Sequence, residues 1–181
     1  MKKILVLVIF FNFLFSGQDD LKNKSLIELF NQKYYTYICD KRWKFINEYN
    51  NKREDLLSLV AYSCLKKRYI TPALDLAKVL KVTKEGRKNA TYIVTLFLMK
   101  KLIMQLLNDD LNMGDIKLPT INDNELGRLF KYIQDGDYEK EGNSIIINLH
   151  NKKYKIWMTK RNNIVIDTLI NGQLEKREYY W

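Results

Sequence analysis

The constraint that most limits this chain is a change of hydrophobic period at "DGDYEKEGN", residues 135–143. Before it, from about residue 25 to 136, apolar residues recur at helical spacing; from Ser144 onward they alternate with polar ones. A helical stripe and an alternating strand bury their apolar residues in different ways, so the chain must build two kinds of layer and join them. The two glycines and mixed charges of the junction predict a linker over 137–143. The expected fold class is α+β: a repeat-like antiparallel helical domain over 18–136, then a small four-stranded antiparallel β-meander over 144–181 packed on the helices.

Start signals order the helical part. Ser25 and Glu28 are spaced as a capping box before "LIELFNQKYYTYI". In "KRWKFINEY", Trp43, Ile46 and Tyr49 share a stripe. Asn51 with Glu54 is placed to cap a helix from Arg53 to about Leu65, with Leu56, Leu57, Val60, Ala61 and Cys64 on its apolar face. Thr71 and Pro72 suit the N-cap and first turn of a helix reaching about Val82. "NATYIVTLFLMKKLIMQLLNDD" is apolar on several faces and predicts a central buried helix; Lys100 and Lys101 interrupt it too soon for a membrane span. A loop over Asp109–Asn122 and an amphipathic helix over Asn124–Gln134 complete this part.

The stretch "LVAYSCLKKRYITPALDLAKVL" carries small Ala61 and, twelve residues on, small Ala73, which let two helices approach closely. With its flanks, residues 56–82, it resembles one tetratricopeptide helical hairpin. It departs from that pattern at Arg68, where a glycine is usual, and at Cys64 and Ala77, where aromatics are common. Tyr34 to Tyr49 resembles a degenerate second unit, and there is no third, so a free-standing solenoid is not expected. The resemblance implies recognition of a protein or peptide in a helical groove.

Four strands are expected at "SIIINLH", "YKIWMTK", "NIVIDTLI" and "QLEKREYYW", with Asn171–Gly172 as a type I′ hairpin turn. Tyr154, Ile156, Met158, Ile164, Ile166 and Ile170 define the packing face, leaving Lys153, Lys155 and Asp167 to water.

The N-terminus sets the redox context. Lys2 and Lys3, an apolar run from Ile4 to Phe15, and small Ser16 and Gly17 have the layout of a secretory signal peptide over 1–17, though without a clean small-x-small cleavage site. The expected location is therefore periplasmic or secreted, with no stable transmembrane span after cleavage. In an oxidising compartment the two cysteines, Cys39 and Cys64, are expected to form a structural disulfide, two buried thiols being the alternative. A single histidine, His150, and the absence of C-x-x-C argue against a metal site or a redox catalyst.

No other constellation carries chemistry. There is no nucleophile elbow or phosphate-binding glycine loop, and the acidic pairs Asp109–Asp110, Asp135–Asp137 and Glu139–Glu141 lie in polar stretches. No catalytic residue and no cofactor are expected. The formal charge of +10 suits acidic partners, but lysine rather than arginine dominates it and export makes nucleic acid an unsuitable one. What remains is an aromatic surface of Tyr34, Tyr35, Tyr37, Trp43, Tyr49, Tyr62 and Tyr69 interleaved with lysine and arginine. The expectation is a noncatalytic protein-binding or scaffolding protein of the envelope, with Trp43, Tyr62 and Tyr69 as anchors for a protein or peptide partner. A basic protein binding anionic lipid or polymer is the alternative, and a cryptic hydrolase a third reading.

Overall fold

The computed structural model describes residues 21–114 and 116–181; the expected signal segment lies outside the described residues. The helices are α1 (Leu26–Asn31), α2 (Tyr35–Asp40), α3 (Arg42–Tyr49), α4 (Glu54–Lys66), α5 (Ile70–Ala77), α6 (Lys84–Asn108) and α7 (Glu125–Asp135). The strands are β1 (Glu139–Glu141), β2 (Ser144–Leu149), β3 (Lys152–Met158), β4 (Ile164–Ile170) and β5 (Gln173–Tyr180). The architecture is α+β, helices preceding an antiparallel sheet in the order β1-β2-β3-β4-β5.

The sheet has five strands rather than four. The additional one, β1, occupies the expected linker, where Glu139 to Glu141 pair with Ile146 to Ser144. All three of its residues are exposed, so it is held by main-chain pairing and has no apolar alternation to announce it. The Asn171–Gly172 turn forms as expected, with φ of 51° and 79°.

Two cores meet along α6. One gathers α1 to α5, with Leu29, Ile38, Leu57, Val60, Leu76 and Ile93 fully enclosed. The other places α7 and the second half of α6 on the sheet, with Ile103, Leu129, Phe130, Ile156 and Ile166 at its centre. Helix α6 is, by length and composition, apolar enough to cross a membrane, but here it packs on α5, α7 and β3. Gly127 lets the preceding loop seat on α7: a Cβ there would lie 2.7 Å from the Cβ of Ile121.

The capping box at α1 forms, Ser25 accepting from the Glu28 main chain and Glu28 from the Ser25 main chain. The expected Asn51–Glu54 cap does not. Glu54 points instead to the start of α6, where its buried carboxylate accepts from the main-chain N–H groups of Lys81, Val82 and Thr83 at 2.6–2.7 Å and from the Thr83 hydroxyl at 2.6 Å. Thr83 in turn caps α6 by accepting from the Gly86 N–H at 2.9 Å. Glycine is required at 86, since a Cβ would collide with the Glu54 carboxylate. Helix α5 also ends earlier than expected, at Ala77, which frees residues 78–83 to make this turn.

Cys39 and Cys64 form a disulfide joining α2 to α4, Cα atoms 4.9 Å apart. A loop of this size is worth about 3 kcal/mol of denatured-state entropy. On the outer sheet face, Asp167 is not solvated as expected: it is buried, accepting 2.6 and 2.9 Å bonds from Arg177 and a 3.0 Å bond from the Trp157 indole. Burial would raise its pKa, but these donors outweigh burial and hold it below the usual carboxylate range.

Two buried charges, Glu54 and Lys100, make the stability of the fold depend on pH. For Glu54, burial is outweighed by its four hydrogen bonds, which lower its pKa to about 2. Its contribution is thus fully present above the unfolded value of 4.5 and is lost as pH falls toward 2. Glu54→Gln should cost roughly 3 kcal/mol at pH 7 by urea unfolding, the difference vanishing near pH 2. Lys100 is the opposite case, since burial and then Lys101 lower its pKa to about 8. Its charge penalises the fold below pH 8, a penalty relieved as pH rises toward 10.5. Lys100→Met should stabilise the protein by about 2 kcal/mol at pH 7, with less gain at pH 10.

Candidate functional site

Because the two cores share α6, a gap is left between α4 and the edge strand β5. It is a cavity of about 920 Å³, bounded by α4, the first half of α6, the N-terminus of α7 and β5. That volume is within the range of small-molecule and peptide-side-chain sites.

One wall is aromatic. Phe30, Tyr35 and Tyr62 form a triangle with ring centroids 5.6, 5.8 and 6.4 Å apart, and Lys66 lies 4.9 Å over the Tyr62 ring. Tyr62 is 44% exposed although it sits on the helix that carries the disulfide. Its position is therefore rigid while its face is open, the condition under which an aromatic ring contributes to binding.

The opposite wall is β5, whose inward side chains Lys176, Glu178 and Tyr180 line the cavity. Glu178 is only 3% exposed, and its Oε1 accepts from Arg68 and is ion-paired with Lys176 at 2.7 Å. Its Oε2 is buried with no hydrogen-bond partner. Burial, with the Glu178 charge adding to it, raises the pKa of Tyr180. Arg68 stands at the α4–α5 turn with φ of 60°, the position where the tetratricopeptide pattern has glycine. The end of β5 is fastened to the same turn: Trp181 donates to the Arg68 carbonyl at 3.1 Å, and Thr71 donates to the Trp181 carbonyl at 3.2 Å.

At the α7 end, Tyr92 donates to Asp123 at 3.1 Å, and Asn124 caps the helix by accepting from Leu126 at 3.0 Å. Burial, then Asp123, raises the Tyr92 pKa. A smaller polar recess of about 490 Å³ continues past Glu125 and Lys176 to Arg128 and Tyr154. Arg128 is held there by Glu125 and by the Tyr154 hydroxyl at 2.9 Å.

Of the three anchors expected from sequence, Tyr62 lines the cavity. Tyr69 packs edge-to-face on Trp181, centroids 6.5 Å apart, and Trp43 stands exposed on α3 under the Arg42 guanidinium. The three are not brought together. Phe30, Arg68, Lys176 and Glu178, none of them an expected anchor, are brought to the cavity instead. Tyr35 had a visible signal in the aromatic density around it. The Arg68–Glu178 pair had none, its members being 110 residues apart.

Among the described residues no three His, Cys, Asp or Glu side chains are grouped to hold a metal ion. His150 is an exposed residue of the β2–β3 turn, outside the cavity lining. The cavity offers open rings, paired charges and one buried carboxylate oxygen without a hydrogen-bond donor. Comparison of the chain with protein families, with curated proteins and with solved structures gives no match.

The Arg68–Glu178 pair ties the two halves together, and removing Arg68 leaves the buried Glu178 with Lys176 of its own strand as its one cation among the described residues. Arg68→Met should cost about 1–2 kcal/mol in urea unfolding, Arg68 being partly exposed and Lys176 remaining beside Glu178, while Arg68→Met with Glu178→Leu should recover most of it. Equal stability of single and double variants would show that the pair is not coupled.

Proposed function

We propose that this chain is a noncatalytic polypeptide-binding protein of an oxidising, extracytoplasmic compartment, taking hold of its partner in the groove between α4 and β5. The observation that carries the reading is the facing of an open aromatic triangle, Phe30, Tyr35 and Tyr62, by the charged and hydrogen-bonding side chains of β5. Aromatic anchors beside a polar rim are the usual composition of a protein-recognition surface. The Cys39–Cys64 disulfide is compatible with an oxidising location, and the signal layout of residues 1–17 suggests export. The tetratricopeptide-like hairpin of 56–82 supplies α4, so the resemblance and the groove favour the same surface.

The basic-surface reading draws on the +10 charge. It is less favoured at this groove, where three cations, Lys66, Arg68 and Lys176, face three carboxylates, Asp123, Glu125 and Glu178.

A photo-crosslinking residue at position 62 tests the proposal in the native cell, with position 43 as control. The expected result is one polypeptide crosslinked from 62 and little from 43. Tyr62→Ala should weaken its capture about tenfold, with unfolding stability changed by less than about 1 kcal/mol. Trp43→Ala should leave capture within about twofold. Crosslinking to anionic lipid or polymer, abolished by salt, would transfer the function to the basic surface; turnover of a supplied glycan or peptide would make it an enzyme.

A further inference from the structure

Strand β5 is an edge of the sheet, eight residues long, whereas the other edge, β1, has three. An edge strand presents main-chain donors and acceptors at alternate residues on its free side. Their direction on β5 is fixed by its end, because both main-chain groups of Trp181 point away from β4, to Arg68 and Thr71. Alternation along an extended chain then directs the N–H and C=O groups of Tyr179 and Arg177 the same way. Among the described residues nothing hydrogen-bonds these groups from that side.

The second observation is Glu178, which lies between those two residues and turns its side chain into the cavity. Only 3% of the residue is exposed, and its Oε2 is a buried acceptor without a donor. A buried acceptor left unsatisfied is costly, and a ligand supplying the donor removes that cost. Two cations already address Oε1. The missing donor is therefore a neutral hydroxyl or amide rather than a third cation.

We infer that the groove takes an extended segment of a partner polypeptide, which adds to the free edge of β5 as a sixth strand, its main chain bonding Arg177 and Tyr179. One inward side chain of the segment donates to Glu178 Oε2, and the inward side chain two residues away lies against Tyr35 and Tyr62. This rests on the polypeptide-binding reading and specifies its mode: main-chain bonds supply affinity, and the two inward side chains supply selectivity. Alternating donors and acceptors at strand spacing fit a peptide backbone and not a glycan. A second copy of the chain is disfavoured as the occupant. Antiparallel pairing of β5 with itself must oppose residues that face the same way: pairing about Arg177 or Glu178 sets that charged residue against itself, and pairing about Tyr179 needs the Trp181 main-chain groups already bonded to Arg68 and Thr71.

The test uses the full chain with the disulfide intact. Peptides of random sequence displayed on phage are selected against it, and a selected peptide is rescanned with N-methyl groups along its backbone. Expected are losses of about tenfold or more at alternate peptide positions, and slowed amide exchange at Arg177 and Tyr179 in the complex. Glu178→Gln should weaken the peptide about tenfold and change the side chain it prefers at one inward position. Peptide binding with no two-residue period and no protection at 177 and 179 overturns the added strand while leaving polypeptide binding intact. A glycan array that binds where no peptide is selected overturns both. Self-association through β5, read as a dimer that a selected peptide does not dissociate, overturns the proposed occupant.

Discussion

The structure depends on a single carboxylate placed where a main chain must turn. Four donors converge on Glu54 from residues 81–83, the turn that leads into α6, with the N-cap residue Thr83 supplying two of them. An uncharged acceptor would meet the same geometry with roughly half the strength per bond. Since α6 passes through both cores, the residue that sets its first turn also sets how the α1–α5 layer sits against the sheet. Gly86 completes the arrangement by giving the carboxylate room, and no larger residue could occupy that position without moving it.

With α6 fixed, the cavity is a geometric consequence. The helical layer and the sheet diverge from their shared helix, and the gap between α4 and β5 is closed at one end where Trp181 bonds the α4–α5 turn. The disulfide braces α4 from behind through α2, so the aromatic wall is held by covalent chemistry and the charged wall by the sheet. The Arg68–Glu178 pair spans the two walls. A half-buried ion pair is a poor source of stability compared with apolar packing, but it imposes a specific alignment, because any sliding of β5 carries Glu178 away from Arg68.

What the sequence made legible were features whose cause is local. Ser25 and Glu28 are three residues apart and cap as their spacing requires; Asn171–Gly172 turns because both residues tolerate positive φ; Ile156 and Ile166 alternate toward the core because one sheet face is covered. The rest was hidden for a common reason. Glu54 had a plausible partner three residues before it and its true partners 27 to 29 residues after it. Strand β1 is Glu-Lys-Glu, a pattern that only the neighbouring strand explains. Asp167 reads as a solvated residue until β5 sets Arg177 opposite it and β3 brings in Trp157. Trp43 and Tyr69 looked like anchors because composition counts aromatic rings without saying which wall of a cavity they face; the pairing of Arg68 with Glu178 across 110 residues leaves no trace in either neighbourhood.

The distribution of charge separates attraction from recognition. The chain is strongly basic, yet the cations and carboxylates lining the groove balance. A long-range positive field accelerates encounter with acidic partners without distinguishing among them, and salt screens it over about 8 Å at physiological ionic strength. Inside the groove the paired charges cancel that field, so discrimination falls to hydrogen-bond geometry and to the faces of Tyr35 and Tyr62. A ligand that matched only the net charge would leave Glu178 Oε2 unsatisfied and the rings wet. One that matched the groove would gain from both whatever its own charge, and in the proposed binding mode that difference separates a specific ligand from a merely acidic one.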